Sequence, residues 1–217
     1  MLKLYSYWRS LAAYRVRIAL SLKAIPVEIV TIDLLAGQQH QPDYKAINPQ
    51  MTVPALIEED GAVLFQSMAI LEYLEERHPC PPLLPHDSRA RARVRGLSQI
   101  LVADTHPLLV PRVRSRLARE YGFSEEQVVL WGKHWIEAGL AAVETHLARD
   151  PETGQFCHGD TPGLADICLY SQAAGSVHFK ADVNQFPTVA RIVARCAQVA
   201  AFANTHPSKQ PDAPKTS

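Results

Sequence analysis

No run in this 217-residue chain approaches the roughly 20 consecutive apolar residues of a membrane span. Its first residues also lack a basic stretch followed by an apolar core and a small-residue cleavage site. A soluble, cytoplasmic protein with no membrane role is therefore expected. The four cysteines, Cys80, Cys157, Cys168 and Cys196, show no Cys-x-x-Cys or metal-ligand spacing, so neither a disulfide framework nor a zinc site is expected. The nine histidines form no His-Glu-x-x-His pattern, and no metal is assigned. Lys plus Arg balance Asp plus Glu at 22 each, which argues against a nucleic-acid binder that must neutralise many phosphates. No internal repeat or low-complexity segment is present.

What is present is 47% apolar residues, enough for sizeable cores. The one uneven feature of the charge is a run of eight arginines over 89–119 against Asp104 alone. It reads either as a solvated helical face or as a local attraction for a small polyanion. From residue 1 to about 78 the pattern alternates: 3–7 extended, 11–23 helical, 27–34 extended and rich in β-branched residues. Two further strands, 53–58 and 62–65, flank the turn at Asp60-Gly61, and 67–77 is an amphipathic helix with Ser67 as N-cap. This is βαβ followed by ββα. The stretch His78-Pro79-Cys80-Pro81-Pro82-Leu83-Leu84-Pro85-His86 cannot be helix interior and marks a boundary between domains 1–80 and 87–217. Beyond it helical periodicity dominates: 88–103, broken by Pro107 and Pro111, then 124–148, 164–177, apolar nearly all round, and 187–199. The polar, proline-interrupted tail from about 207 is expected to be disordered.

Three places carry chemistry. A short strand stops just before Ser10 and a helix begins at once, so the serine hydroxyl sits beside free N–H groups and the positive end of a helix dipole, a place suited to an anion. Val53-Pro54 opens a predicted strand, where proline is tolerated. It is either an ordinary trans-proline or a cis-proline that leaves the main chain before it free to pair with a peptide-like ligand. Gln66-Ser67 supplies a side-chain amide and a second helix N-terminus, for simple capping or for a carboxylate.

With these three points in one layout, the chain resembles the cytosolic glutathione transferases, and within them the zeta class of maleylacetoacetate and maleylpyruvate isomerases. The stretches that carry the resemblance are YSYWRS…YRVRIALSLK, AINPQMTVPAL, FQSMAILEYLEERHP, LLP, DTHP, GDTPGLADICL, FPTVARI and the terminal HPSKQPDAP, spanning residues 2 to about 214. It implies a thioredoxin-like N-terminal domain followed by an all-helical C-terminal domain, a homodimer, and glutathione as cofactor. It further implies that Ser10 holds the glutathione sulfur as thiolate, with Leu11 and Ala12 beside it. Gln39 would hold the glycine end, Val53 and Pro54 the cysteinyl moiety, and Gln66 and Ser67 the γ-glutamyl carboxylate, while His106 would lie over the sulfur. The implied reaction is thiolate addition to a cis double bond, rotation and elimination, with the substrate carboxylates met by Arg9, Arg112 and His178. From the residues alone His106 reads as a surface histidine beside a proline kink, and Arg9 and Arg112 read equally well as exposed helix or loop charges.

Several positions depart from the zeta pattern. That class commonly reads Ser-Ser-Cys where this chain has Ser10-Leu11-Ala12, which makes the surroundings of Ser10 drier. Asparagines usual after His-Pro are replaced by Leu108-Leu109. His178 stands where an arginine is usual, and Gly163 where a helix cap is usually Ser or Thr. The glutathione side is thus better kept than the substrate side. Two competing functions follow: a transferase that conjugates or dehalogenates a small electrophile, and a non-catalytic binder of glutathione and hydrophobic anions. Redox chemistry of the glutaredoxin kind is disfavoured because no cysteine stands at the first helix's N-terminus.

Overall fold

The computed structural model describes residues 1–214 and divides into two compact units. The first comprises Met1–Pro82 together with the described residues from Val199 onward, and the second is Leu83–Gln198. The first unit begins with β1 (Leu2–Ser6), α1 (Leu11–Leu22) and β2 (Val27–Thr31). A short helix α2 (Pro42–Ile47), absent from the sequence reading, follows a 3-10 turn at Gln38–His40. The unit continues with β3 (Ala55–Ile57), β4 (Val63–Phe65) and α3 (Ser67–Arg77). The sheet order is β2-β1-β3-β4, with β1 and β2 parallel and the other pairings antiparallel. Helices α1 and α3 pack together, burying Tyr14, Ile18, Ile70, Leu71 and Leu74.

The register fixes what happens at one end of this sheet. Tyr5 pairs with Ala55, and Ala55 pairs with Phe65. One step beyond that row come Ser6, Pro54 and Gln66, because β3 runs opposite to β1 and β4. Ser6 also pairs with Thr31 of β2, so the loop that carries Gln39 leaves from the same end. The loops before α1 and α3, the approach to Pro54 and the loop after β2 thus share one edge.

The second unit is helical. It contains α4 (Ser88–Gln99), a π-helical stretch at Ile100–Thr105, a 3-10 turn at His106–Leu108, α5 (Pro111–Tyr121), α6 (Glu125–Arg149), α7 (Leu164–Ser176) and α8 (Pro187–Ala197). Helix α5 is one the sequence reading did not separate. Pro111 there starts a helix instead of breaking one, since its missing N–H is not needed in a first turn. Helix α7 is buried on nearly every side, with α4, α6 and α8 against it. Near its start Asp166, 1% exposed, accepts hydrogen bonds from the Cys157 N–H at 2.8 Å and the Gly163 N–H at 2.9 Å. Gly163 has a steric reason: a Cβ there would stand 2.8 Å from the Leu83 carbonyl oxygen.

The C-terminal segment departs from the sequence reading. Helix α9 (Ala200–Asn204) and a 3-10 turn at Pro207–Lys209 belong to the first unit, not to the helical one. The stretch expected to be disordered follows a defined path through residue 214, and 215–217 lie outside the described residues. Among the described residues no helix is long and apolar enough to cross a membrane.

Candidate active site

Ser10 is the N-cap of α1, with extended backbone angles, and its Oγ accepts the Ala13 N–H at 3.2 Å. Among the described residues nothing accepts the hydroxyl proton in return, so that proton is available to a ligand. The N–H groups of Leu11 and Ala12, in the first turn of the helix, have no intrahelical acceptor. A donor hydroxyl, two open amides and a helix dipole thus converge at one half-exposed point. Leu11 and Ala12 contribute through the backbone, which any side chain would allow.

The loop ahead of Ser10 is tightly held. The Ser10 N–H closes a turn onto the Tyr7 carbonyl at 3.0 Å. Beneath it Arg17, 3% exposed, donates from Nη1 to Ser6 Oγ at 2.9 Å and to the Tyr7 carbonyl at 3.4 Å, and from Nη2 to the Trp8 carbonyl at 3.2 Å. Burial pulls the Arg17 pKa down to about 10, which still leaves it a cation near neutral pH. Tyr7 packs with Ile32, Tyr44 and Val53, so this loop and the approach to Pro54 share one apolar cluster.

The Val53-Pro54 peptide is cis. The turn leading to it is fixed by the Tyr44 hydroxyl and the Asn48 side-chain amide, which both donate to the Thr52 carbonyl, at 2.6 and 2.7 Å. Strand pairing starts only at Ala55, and no hydrogen bond to the Val53 main chain is made among the described residues. Val53 can therefore pair with an extended ligand.

At α3 the structure corrects the sequence reading. The N-cap position is Gln66, in a positive-φ conformation (φ 68°), and Ser67 is the first helical residue. The Ser67 hydroxyl instead accepts from Arg15 Nη1 at 3.2 Å, inside the protein. Positive φ is costly for a residue other than glycine and clusters at functional sites. The Gln66 side chain donates to Gln50 Oε1 at 2.7 Å, a partner the sequence reading did not single out. Gln39, on the 3-10 turn, donates from Nε2 to the Leu34 carbonyl at 3.4 Å, while its buried Oε1 has no partner among the described residues. Arg9 lies over the Trp8 ring, 5.6 Å from its centroid.

His106, Arg112 and His178 belong to the second unit. His106 opens the 3-10 turn that follows the π-helical stretch. Arg112 is exposed in the first turn of α5, and His178 is exposed on the turn Val177–Phe179. Next to His178, Phe179 lies under the guanidinium of Arg114, 5.6 Å from the ring centroid. Arg114 was hidden in the sequence among equivalent arginines. Its distinguishing feature is a ring within reach on the turn that follows α7.

A thioredoxin-like sheet with ligand groups at the ends of its strands, followed by a helical unit, defines the glutathione transferase class. Residues 1–76 match the model for "Glutathione S-transferase, N-terminal domain". The maleylacetoacetate isomerase of Pseudomonas aeruginosa is 44% identical over 215 residues, covering 98% of this chain and 99% of the relative. A maleyl pyruvate isomerase structure, described as a bacterial zeta-class glutathione transferase, superposes with a TM-score of 0.95 at 40% identity, over 98% of this chain and 100% of that one. The maleylacetoacetate isomerase structure from Methylobacterium extorquens AM1, which holds malonate and glutathione, gives 0.95 at 49% identity over the same shares. The chain belongs to the zeta-class glutathione transferases, in the group that contains the maleylacetoacetate and maleylpyruvate isomerases.

Proposed function

We propose that this protein catalyses the glutathione-dependent cis–trans isomerisation of a small unsaturated dicarboxylate, maleylacetoacetate or maleylpyruvate, in the breakdown of aromatic compounds. The observation that carries the reading is the Ser10 N-cap: its oxygen is engaged by the Ala13 N–H and its proton is free to donate. The donor set fits glutathione. Val53 offers a main-chain pair for the cysteinyl moiety, Gln66 and Ser67 stand at a helix N-terminus suited to the γ-glutamyl carboxylate, and the side-chain amide of Gln39, on the turn after β2, is assigned to the glycine end.

When bound, glutathione supplies a thiolate that adds reversibly to the activated cis double bond and is regenerated after rotation. Ser10 donates to the sulfur and, with the Leu11 and Ala12 N–H groups, stabilises its negative charge. Arg9, Arg112 and His178 are the groups assigned to the substrate carboxylates, and His106 is assigned to the sulfur side. The Methylobacterium relative's structure, with both malonate and glutathione bound, supports a dicarboxylate partner. The same reading carries a homodimer and a cytoplasmic location.

The test is incubation of purified protein with maleylacetoacetate or maleylpyruvate, with and without glutathione, following isomer formation by absorbance and free thiol by titration. Isomer formation that requires glutathione but leaves free thiol constant is expected. Stoichiometric thiol loss would make the protein a conjugating transferase instead. No turnover despite glutathione binding would make it a binder.

A further inference from the structure

The loop that presents Ser10 is held from the far end of the chain. The Trp8 main-chain N–H, two residues ahead of Ser10, donates to Asp212 Oδ2 at 2.9 Å across a sequence separation of 204. Arg17, which grips the Tyr7 and Trp8 carbonyls from below, also donates from Nε to the Thr205 carbonyl at 3.4 Å. Tyr14, one turn into α1, donates its hydroxyl to the Phe202 carbonyl at 2.9 Å and meets the edge of His206, with ring centroids 6.0 Å apart. Phe202 is fully buried against this unit. Residues 202–212 thus run along α1 and finish at the loop itself.

Trp8 and Arg9 lie between the end of β1 and the cap of α1, outside both ladders. A peptide group in such a place turns to water unless something holds it. Here the Tyr7–Trp8 peptide is held on its two sides by different parts of the chain: its Tyr7 carbonyl by Arg17, its Trp8 N–H by Asp212. We propose that the C-terminal segment is a strap that positions the loop before α1, and that Asp212 is a positioning residue for the chemistry at Ser10. This rests on the reading of Ser10 as the group that activates the thiol. Asp212 acts through the Trp8 N–H, a charge-assisted bond of the stronger kind. Freeing that peptide lets the Ser10 hydroxyl wander from the sulfur, and misplacements of about 1 Å can cost about 100-fold in rate.

The experiment compares Asp212→Ala and Asp212→Asn with the wild-type full chain, by deuterium exchange of peptides covering residues 7–14 and by steady-state kinetics. Asp212→Ala is expected to speed exchange at this loop and to lower kcat by about tenfold, with KM for the dicarboxylate within about twofold of wild type. Asp212→Asn, whose amide oxygen can accept the same bond, is expected to recover most of both. Wild-type exchange at the loop in the alanine variant, unchanged kcat, or an asparagine variant as impaired as the alanine one would overturn the proposal. Exchange is read without substrate, so it decides the strap even if the wild-type protein turns over neither dicarboxylate, a result that would remove the reading of the site instead.

Discussion

A lysine ammonium with a side chain 0% exposed closes one end of the first unit. Lys23, the C-cap of α1, pairs with Glu75 of α3 at 2.9 Å and donates to the carbonyls of His78 and Pro81 at 2.6 and 2.8 Å. A charge so buried is tolerated only when its partners are complete, and removing one member leaves the others desolvated and unpaired. Lys23→Met is therefore expected to destabilise the protein by about 3–5 kcal/mol, measured by denaturant unfolding. The sequence placed Lys23 at a helix end and left its partners 52 and more residues away unseen. Ser10 was legible because both halves of its role are local, a strand that stops and a helix that starts. Ser67 was legible only in part: its position at a helix start followed from pattern, but the positive φ of Gln66 and the Arg15 side chain that captures its hydroxyl are tertiary facts.

At the scale of elements, hydrophobic period located α3 to the residue and the longest helix to within one residue at each end. One proline misled: Pro111, read as a break, stands at the first position of α5, whereas Pro187 starts α8 as its position suggested. The π-helical stretch Ile100–Thr105 carried no sequence signal. It is stabilised from outside by Gly139 of α6, where a Cβ would fall 2.1 Å from Thr105 Oγ1, and from within by the Thr105 hydroxyl donating to the Ile100 carbonyl at 2.8 Å. Thr105 is 2% exposed and has little room to yield. Gly139→Ala is accordingly expected to cost about 1–3 kcal/mol in a denaturation experiment, the range for overpacking a close contact. Because His106 follows Thr105 directly, the same variant is expected to reduce turnover more than its stability loss alone explains, checked by kinetics well below its melting temperature.

At the scale of the whole molecule, the order of sheet and helices was legible from the chain, because periodicity switches once, at the proline-rich stretch between α3 and α4. The return of the C-terminus to the first unit was not. Its polar, proline-interrupted composition is that of a free tail, and what orders it is a set of long-range partners, Trp8, Tyr14 and Arg17, that no local pattern announces. The account as a whole stands on the chemistry proposed for Ser10. Ultraviolet titration of the thiolate of bound glutathione, in wild type and in Ser10→Ala, tests that chemistry most directly. The account predicts thiolate formed near neutral pH in the wild type and a midpoint about one to two pH units higher in the variant, the equivalent of one hydrogen bond to a charged group. An identical midpoint in the two proteins would contradict it.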